Sequence, residues 1–482
     1  MTSQERADNI LAEAGSEPPP FFWGEIMHDT PHSSRWASLW ALTWPQMLML
    51  LVQFGIGLTD VWAAGRIGPD IQASIGLIAQ CHMVLMAVGI ATGNGAVAAV
   101  SQSIGAGRQR RARRFTGLVL LAGMVAGICL AHLGGSFRQD LLHIMQTPQH
   151  LMEPADTFLQ IYLWTLPGQY LLAIVTAVLR AVRSVRLPLV ITLVTGLLNI
   201  WGDLAFGLGW WGFPRYGAAG LAWSTFISVT LGACILFFAL FPFGLLKHDS
   251  LPPLRWMRCG GKYLLRIGLP ALGTSFLWQT GFVLVLVITM TLPHDNVNAL
   301  AGLTAGMRIE AIIFLPAVAC QMAVAVLVGH SLGSGNKKEA QQSAYDMLKL
   351  AVIGMSLLTC GLWFIRDELA ALMTNDAQVR LETVRYLVFN FLSAPLMVAN
   401  LVLVGVFLGA GATQYPMWSY LFSVWGVRLP LSWWLGHIVM ESSSGIYWAM
   451  VASQLVQLAI LLWMLLCADW KRFTMTTSHE SL

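Results

Sequence analysis

The chain has 482 residues, of which 56% are hydrophobic and only 11% are charged, with a net charge of +4. A water-soluble domain usually carries about 25% charged residues, because its surface needs them. The composition therefore excludes a soluble globular protein and predicts an integral membrane protein. Its 45 glycines and 20 tryptophans agree with this, since glycine lets membrane helices pack closely and tryptophan is enriched at membrane interfaces.

Long apolar runs recur along the whole chain. A membrane helix needs about 20 mostly apolar residues, because at about 1.5 Å per residue these cross roughly 30 Å of hydrocarbon. The sequence therefore predicts an all-α membrane protein with twelve transmembrane helices, at 37–62, 74–103, 116–136, 155–177, 188–210, 217–242, 264–292, 298–331, 345–365, 383–407, 416–439 and 444–467.

Lysine and arginine are distributed unevenly among the predicted loops. The loops after the second, fourth, sixth and eighth spans together hold fourteen of them, whereas the loops after odd-numbered spans hold five. Loops rich in Lys and Arg stay in the cytoplasm. We therefore expect the even-numbered loops and both termini to be cytoplasmic, and the protein to lie in the plasma (inner) membrane of the cell.

The two halves of the chain resemble each other in one constant register. SQSIGAGRQRRA at 101–112 aligns with GHSLGSGNKKEA at 329–340, and the same register pairs Pro167 with Pro395. Two repeats of six spans predict two bundles related by a pseudo-twofold axis along the membrane normal, with the central cleft of a transporter. The predicted segments are an N-terminal cytoplasmic tail (1–36), an N-lobe (37–243), a cytoplasmic linker (244–263), a C-lobe (264–467) and a C-terminal cytoplasmic tail (468–482).

Ionisable residues at membrane depth are costly and usually mark function. Asp60 lies near the end of the first span, with Gln53 seven residues earlier on the same face. Asp203 lies in the fifth span, with Asn199 one turn before it. Thr225, on the sixth span, can add a neutral oxygen. We predict a cation-coupling site formed by Asp60, Asn199, Asp203 and Thr225.

The repeat sharpens this prediction. Asp60 aligns near Ile288 and Asp203 aligns with Leu431, so the two carboxylates belong to the N-terminal half alone. Two buried carboxylates without a fixed positive partner cannot both be ionised cheaply. The pair is expected to take up a proton or to hold a monovalent cation, and its occupancy can bias which way the cleft faces.

The second half carries other intramembrane candidates. Arg308 and Glu310 lie in the eighth span, and Arg308 reads as the only clear basic residue in the middle of a span. Neighbouring helices or water can satisfy these charges, or Glu310 can attract cationic substrates. Trp278 and Gln279, in the seventh span, can form part of a cleft wall, although membrane tryptophans more often pack or anchor. The predicted substrate-cleft residues are Gln53, Trp278, Gln279, Arg308 and Glu310.

Several motifs point elsewhere and are set aside. GHSLG at 329–333 fits G-x-S-x-G, but it ends a membrane helix instead of forming a strand-to-helix turn. GSGNKK lacks the phosphate-loop pattern, so we expect an ion gradient to supply the energy. The 7 cysteines form neither a CxxC pair nor a Cys/His cluster, so no disulfide or metal site is expected. We expect no catalytic residues and no cofactor besides the coupling ion.

Several stretches together resemble the multidrug and toxic compound extrusion (MATE) family over about 37–467. They are TWPQMLMLLVQFGIGLTDVWAAGRIG, LRAVRSVRLPLVITLVTGLLNIWGDLAF, GAAGLAWST and RIGLPALGTSFLWQTG. The resemblance implies twelve helices in two bundles that export organic cations and amphiphiles against H⁺ or Na⁺. In many prokaryotic members an Asp on the first helix joins an Asn, an Asp and a Thr from the fifth and sixth. Asp60, Asn199, Asp203 and Thr225 match those positions.

The chain departs from the family at one place. Many relatives carry an acidic residue on the seventh helix just after the GLP motif, where this sequence has Trp278 and Gln279. Coupling through a carboxylate there is therefore in doubt, which again favours the N-lobe pair.

The resulting hypothesis is a monomeric antiporter that exports small cationic or amphiphilic molecules in exchange for H⁺ or Na⁺ by alternating access of its two lobes. Its expected partners are a small-molecule substrate, the coupling cation and membrane lipid, but no nucleic acid. The alternative is a flippase for a lipid-linked oligosaccharide, whose cavity should carry basic residues. Less favoured is an intramembrane hydrolase that uses Ser331 or Glu310.

Overall fold

The apolar runs fold into long helices, because a backbone in lipid must satisfy its own hydrogen bonds within the segment. The computed structural model describes residues 35–475, and all regular secondary structure within that range is helical. The predicted N-terminal tail lies almost entirely outside the described residues. The part of the predicted C-terminal tail that is described packs against both halves: Trp470 is only 1% exposed, and Met475 N donates to Gln102 Oε1 at 3.1 Å.

The helices of the first half are α1 (Arg35–Ile67), α2 (Pro69–Gly105), α3 (Gln109–Ser136), α4 (Gln149–Ala181), α5 (Arg186–Gly202) and α6 (Gly217–Ala239). Those of the second half are α7 (Leu254–Met290), α8 (Asn296–Gly333), α9 (Lys337–Trp363), α10 (Ala377–Ala410), α11 (414–439) and α12 (Ser443–Cys467). The first turns of α7 lie within the segment predicted as a linker.

Eleven of these helices have the length and hydropathy of a membrane span. The remaining one, α11, is helical throughout but alternates between α-helical and π-helical turns. Its parts are Gln414–Tyr420, Leu421–Arg428 (π), Leu429–Trp434 and Leu435–Val439 (π). Pro430, the second residue of the third part, has no N–H to donate to the hydrogen-bond ladder of the helix. The π-helical turns on either side have a different hydrogen-bond spacing, from residue i to residue i+5. The prediction of a twelve-helix membrane fold is confirmed.

The two halves repeat each other in detail. The short helices Arg138–Ile144 and Arg366–Met373 begin at equivalent positions of the two repeats, and each follows the third span of its half. Gly107 and Gly335, in the turns after α2 and α8, have φ of 72° and 78°. Only glycine adopts this left-handed backbone without strain, which explains why both repeats keep it.

Each half has its own core, in which the fourth helix of the repeat is central. In the first half α4 packs against α2, α3 and α6, and in the second half α10 packs against α8, α9 and α12. The halves meet through α2 and α8. A Cβ on Gly105 would lie 2.1 Å from the backbone oxygen of His330, and one on Gly333 would lie 2.2 Å from that of Gln102. Glycine is therefore required for the halves to approach this closely.

These contacts lie at one end of the molecule, where α2, α4, α8 and α10 finish. We call it the even-loop end, since the loops after these helices follow even-numbered spans. Every hydrogen bond between the halves that joins described residues is found there. Leu39 and Leu42, at the start of α1, also pack into the core of the second half. The described conformation is closed at the even-loop end.

Candidate functional site

The structure brings the four predicted coupling residues together inside the N-lobe. Asp60 comes from α1, Asn199 from the last turn of α5, and Thr225 from α6. Asp203 begins the π-helical turn Asp203–Gly207 that continues α5. Asn199 is 3% exposed and Asp203 is 0% exposed, whereas Asp60 and Thr225 are half-buried.

A hydrogen-bond network orients the amide of Asn199. Its Nδ2 donates to Thr225 Oγ1 at 3.2 Å and to Ser224 Oγ at 3.4 Å, and Ser224 Oγ donates back to the Asn199 carbonyl oxygen at 2.8 Å. A Cβ on Gly202 would lie 2.4 Å from Ser224 Oγ, so glycine allows α5 and α6 to meet here. Because these bonds engage Nδ2 of Asn199, its side-chain oxygen Oδ1 is left buried and without a hydrogen-bond partner among the described residues.

The two carboxyl groups adjoin each other, and Ser224, whose hydroxyl donates to the Asn199 carbonyl oxygen, lies beside Asp203. Asp60 and Asp203 interact directly, yet Asp60 Oδ1, both oxygens of Asp203 and Asn199 Oδ1 are buried and have no hydrogen-bond partner among the described residues. No ion pair between described residues includes either aspartate. Buried acceptors are rarely left unpaired. The chemistry of this donor set, four oxygens and two acidic groups, fits a proton or a small monovalent cation.

Tyr162, on α4, is a member of the site that the sequence did not reveal. Its side chain interacts with Thr225, and both aspartates lie close enough to act on it electrostatically. No motif marks this tyrosine, because membrane helices carry aromatic residues at many positions. Only the packing of α4 against α6 shows that it faces the carboxyl pair.

No hydrogen bond, ion pair or ring contact between described residues joins any two of the predicted substrate-cleft residues. Trp278 is 42% exposed, and its ring stacks on Phe282 at 6.1 Å. Gln279 is half-buried, whereas Gln53, on α1, and Arg308 are exposed. Glu310 is satisfied by a neighbouring helix, since Tyr386 on α10 donates its hydroxyl hydrogen to the carboxylate.

One reading of the sequence is wrong. Arg308 is not the only basic residue in the middle of a span, because Arg428 lies inside the C-lobe at the end of a π-helical stretch of α11. Arg428 forms no ion pair with another described residue. Its Nε donates to Ser453 Oγ on α12 at 2.8 Å. The signal that could have found Arg428 is its position near the middle of the predicted span 416–439.

Comparison with known proteins decides the family. The MatE family model matches residues 45–204 and 270–434, one match in each repeat. The chain belongs to the MatE family. A probable multidrug resistance protein NorM of Thermotoga maritima is 27% identical over 447 residues, covering 91% of this chain and 94% of that protein. A probable multidrug resistance protein YoeA of Bacillus subtilis is 23% identical, covering 89% and 93%.

The fold agrees with this. A crystal structure of MATE in complex with MaL6 superposes with a TM-score of 0.83 at 17% identity, covering 93% of this chain and 98% of that one. MatE proteins are transporters, so this chain is a multi-pass membrane transporter and not an enzyme. The regions of this chain that match the family model and the solved structure include both lobes, in keeping with the two repeats.

The G-x-S-x-G motif of this MatE protein has no catalytic geometry. His330 Nε2 lies 2.7 Å from the carbonyl oxygen of Ala181, so the imidazole bonds to the backbone of the other half. Ser331, the next residue on α8, is turned by about 100° from it around the helix. The histidine therefore serves the contact between the halves and does not activate the serine.

Proposed function

We propose that this MatE transporter exports small cationic or amphiphilic organic molecules in exchange for H⁺ or Na⁺, which binds among Asp60, Asn199, Asp203 and Thr225. One observation carries the proposal: four buried oxygens of this site have no hydrogen-bond donor among residues 35–475, which the structure describes. Two adjoining ionised carboxylates repel each other and are poorly solvated. A proton on one of them, or Na⁺ among the four oxygens, removes that cost.

Helix α1 can carry the effect of the bound ion to the interface between the lobes. It holds Asp60, it packs against α5 and α6 of its own lobe, and it also packs against α8 of the other lobe. A ligand shifts a conformational equilibrium only by its differential affinity for the two states. We infer that the cation binds more tightly when the cleft is open on the side from which it enters, and that its loss favours the opposite state.

The orientation follows from the loop charges. We place the even-loop end in the cytoplasm, since it carries most of the loop Lys and Arg residues. The halves are closed at that end, so the described conformation opens outward from the plasma membrane. In this state an exporter releases its substrate and takes up the coupling cation. One chain contains both lobes, so we propose that a monomer is the working unit.

Relatives named as probable multidrug resistance proteins support the substrate class. The test is transport by purified protein in liposomes. A pH gradient and a Na⁺ gradient are imposed in separate experiments, with ethidium as the substrate. The gradient that drives ethidium movement identifies the ion. Movement of a fluorescent lipid instead of ethidium would favour the flippase alternative.

The site is tested with two variants in the same assay. Asp60→Asn and Asp203→Asn should each reduce gradient-driven transport at least tenfold, because either change removes one of the two carboxyl groups among which the cation binds. Asp70→Asn is the matched control, since Asp70 is an exposed carboxylate at the start of α2. Full gradient-driven transport by both site variants would overturn the proposal.

A further inference from the structure

Residues 468–475, which follow α12, connect the two halves at the even-loop end. We call this segment the strap. Trp470 and Phe473 are 1% and 6% exposed and belong to the hydrophobic core of the second half. Met475, two residues later, packs against the core of the first half instead. One short segment therefore contributes apolar side chains to both halves.

The strap is anchored in the second half by several contacts. The guanidinium carbon of Arg266, on α7, lies 4.8 Å from the centroid of the Phe473 ring. The same ring meets Tyr415 of α11 edge-on, with centroids 5.7 Å apart. Lys471 Nζ donates to Gln341 Oε1 on α9 at 3.0 Å. Cation–π, edge-on aromatic and hydrogen-bond contacts to three helices therefore hold this part of the strap in place.

The attachment to the first half depends on Met475 and Gln102. Met475 N donates to Gln102 Oε1 at 3.1 Å, and Tyr263 donates its hydroxyl hydrogen to the same oxygen at 3.4 Å. Gln102 Nε2 donates to Gly409 O at 2.9 Å, and the glutamine is 0% exposed. One buried amide of α2 therefore binds both the strap and α10 of the second half.

The first repeat contains an equivalent segment that does not make this crossing. In the constant register of the repeats, Phe473 aligns with Leu245, and each is buried in the core of its own half. Met475 aligns with Lys247, whose N donates to Ser250 Oγ at 2.8 Å within the first half. The bond from the strap to the opposite half is therefore not a requirement of the repeated scaffold.

A segment bound to both halves must release one of them when the halves separate at this end. Trp470 and Phe473 are buried, whereas Met475 is half-buried, so the first-half attachment is the one that separates. We propose that the strap stabilises the closed even-loop end, and that Met475 leaves Gln102 each time this end opens. In an exporter that step precedes substrate entry from the cytoplasm, and this part rests on the proposed function. The effect of the strap on closure is measured without transport.

The test measures closure as the distance between spin labels at Gln109 and Lys337, in the reconstituted whole chain without its native cysteines. These two residues are exposed and equivalent in the repeats, at the starts of α3 and α9. Met475→Pro removes the donated N–H, and the extended backbone of Thr474, with ψ of 142°, suits a following proline. This variant should raise the ratio of open to closed protein about fivefold or more, because a hydrogen bond and a packed side chain are both lost.

Two further variants of the same residue separate the bond from the side chain. Met475→Ala keeps the N–H, so it should raise the ratio less than Met475→Pro does. Met475→Leu keeps the bond and an apolar side chain of similar size, so it should match the wild type. All four proteins are also measured with His330→Ala, which removes another bond between the halves. This second background reveals the effect even if the wild type is almost fully closed.

Two results would overturn the proposal. One is the same distance distribution for Met475→Pro and Met475→Leu in both backgrounds, and the other is a shift of Met475→Pro toward the closed state. Asp60 and Asp203 are intact in every protein of this series. Failure of the strap therefore leaves the proposed cation site standing, and failure of cation coupling leaves the effect of the strap on closure unchanged.

Discussion

Gln102 and His330 occupy equivalent positions in the two repeats, and each donates a hydrogen bond to the backbone of the opposite half. Gln102 Nε2 donates to Gly409 O at 2.9 Å, and His330 Nε2 lies 2.7 Å from Ala181 O. Because a carbonyl oxygen only accepts, Nε2 of His330 carries the proton. The two acceptors, Ala181 and Gly409, are also equivalent in the repeat register. The pseudo-twofold axis therefore passes between these reciprocal bonds, which close the even-loop end.

The first prediction concerns these bonds. Gln102→Ala and His330→Ala should each shift the conformational equilibrium about fivefold away from the closed even-loop end, because a typical hydrogen bond contributes about 1 kcal/mol net. The double variant should shift it further. Spin labels at Ile144 and Leu372, which are 79% and 76% exposed and lie in opposite halves, report the change as a distance distribution.

This measurement needs a background without the native cysteines, several of which are exposed. Lys338→Ala is the control, since Lys338 is an exposed residue near the same end of the molecule. If the distance distribution is the same in the wild type and in both single variants, the two bonds do not hold the closed state.

The second prediction concerns the glycines beside them. Gly105→Ala and Gly333→Ala should prevent closure, because the new Cβ atoms would lie 2.1 Å and 2.2 Å from backbone oxygens of the other half. Each half still folds, since the clash lies between the halves. We expect transport to fall at least tenfold with normal amounts of protein in the membrane. Gly354→Ala is the control, as no atom of another described residue lies within 4 Å of its Cβ position. Wild-type transport by Gly105→Ala would contradict the assigned contact.

The sequence predicts the scaffold better than it predicts the polar centres. Glycine and proline positions such as Gly107 and Gly335 reflect backbone geometry that each repeat needs, so the constant register of the two halves carries over into the fold. Asp60 and Asp203 stand out because charge is rare within spans. They are far apart in the sequence, but α1 and α5 pack side by side and bring the two carboxyl groups together.

Glu310, in the C-lobe, shows the limit of this reasoning. Glu310 is recognisable in the sequence as a charge within a span, but Tyr386, which donates to it, lies on α10, and no local pattern links that tyrosine to α8. The π-helical turns of α11 also depend on packing and do not appear in a hydropathy pattern. A residue-by-residue alignment of the repeats pairs Asn390 with Tyr162. That pairing becomes informative only once the structure places Tyr162 in the N-lobe site.

A third prediction separates transport from hydrolysis. Ser331→Ala should leave gradient-driven ethidium transport within about twofold of wild type. Ser331 is 5% exposed, and removing one hydroxyl from such a position costs little when it bonds nothing essential. Thermal unfolding of the purified variant checks that it is folded. A loss of transport with unchanged stability would reopen a role for this serine.

The last prediction concerns the segment that follows α12. Trp470 is 1% exposed and packs edge-on against Phe407 with ring centroids 6.3 Å apart. Its Nε1 donates to Leu465 O at 3.0 Å. Replacing a buried tryptophan by alanine costs about 3–5 kcal/mol, so Trp470→Ala should lower the unfolding midpoint in detergent clearly. Trp463→Ala is the matched control, because Trp463 is 61% exposed and fills no core. Equal midpoints for the two variants would mean that the segment is not part of the folded C-lobe. A selective loss in Trp470→Ala would show that the lobe needs residues beyond its last membrane helix.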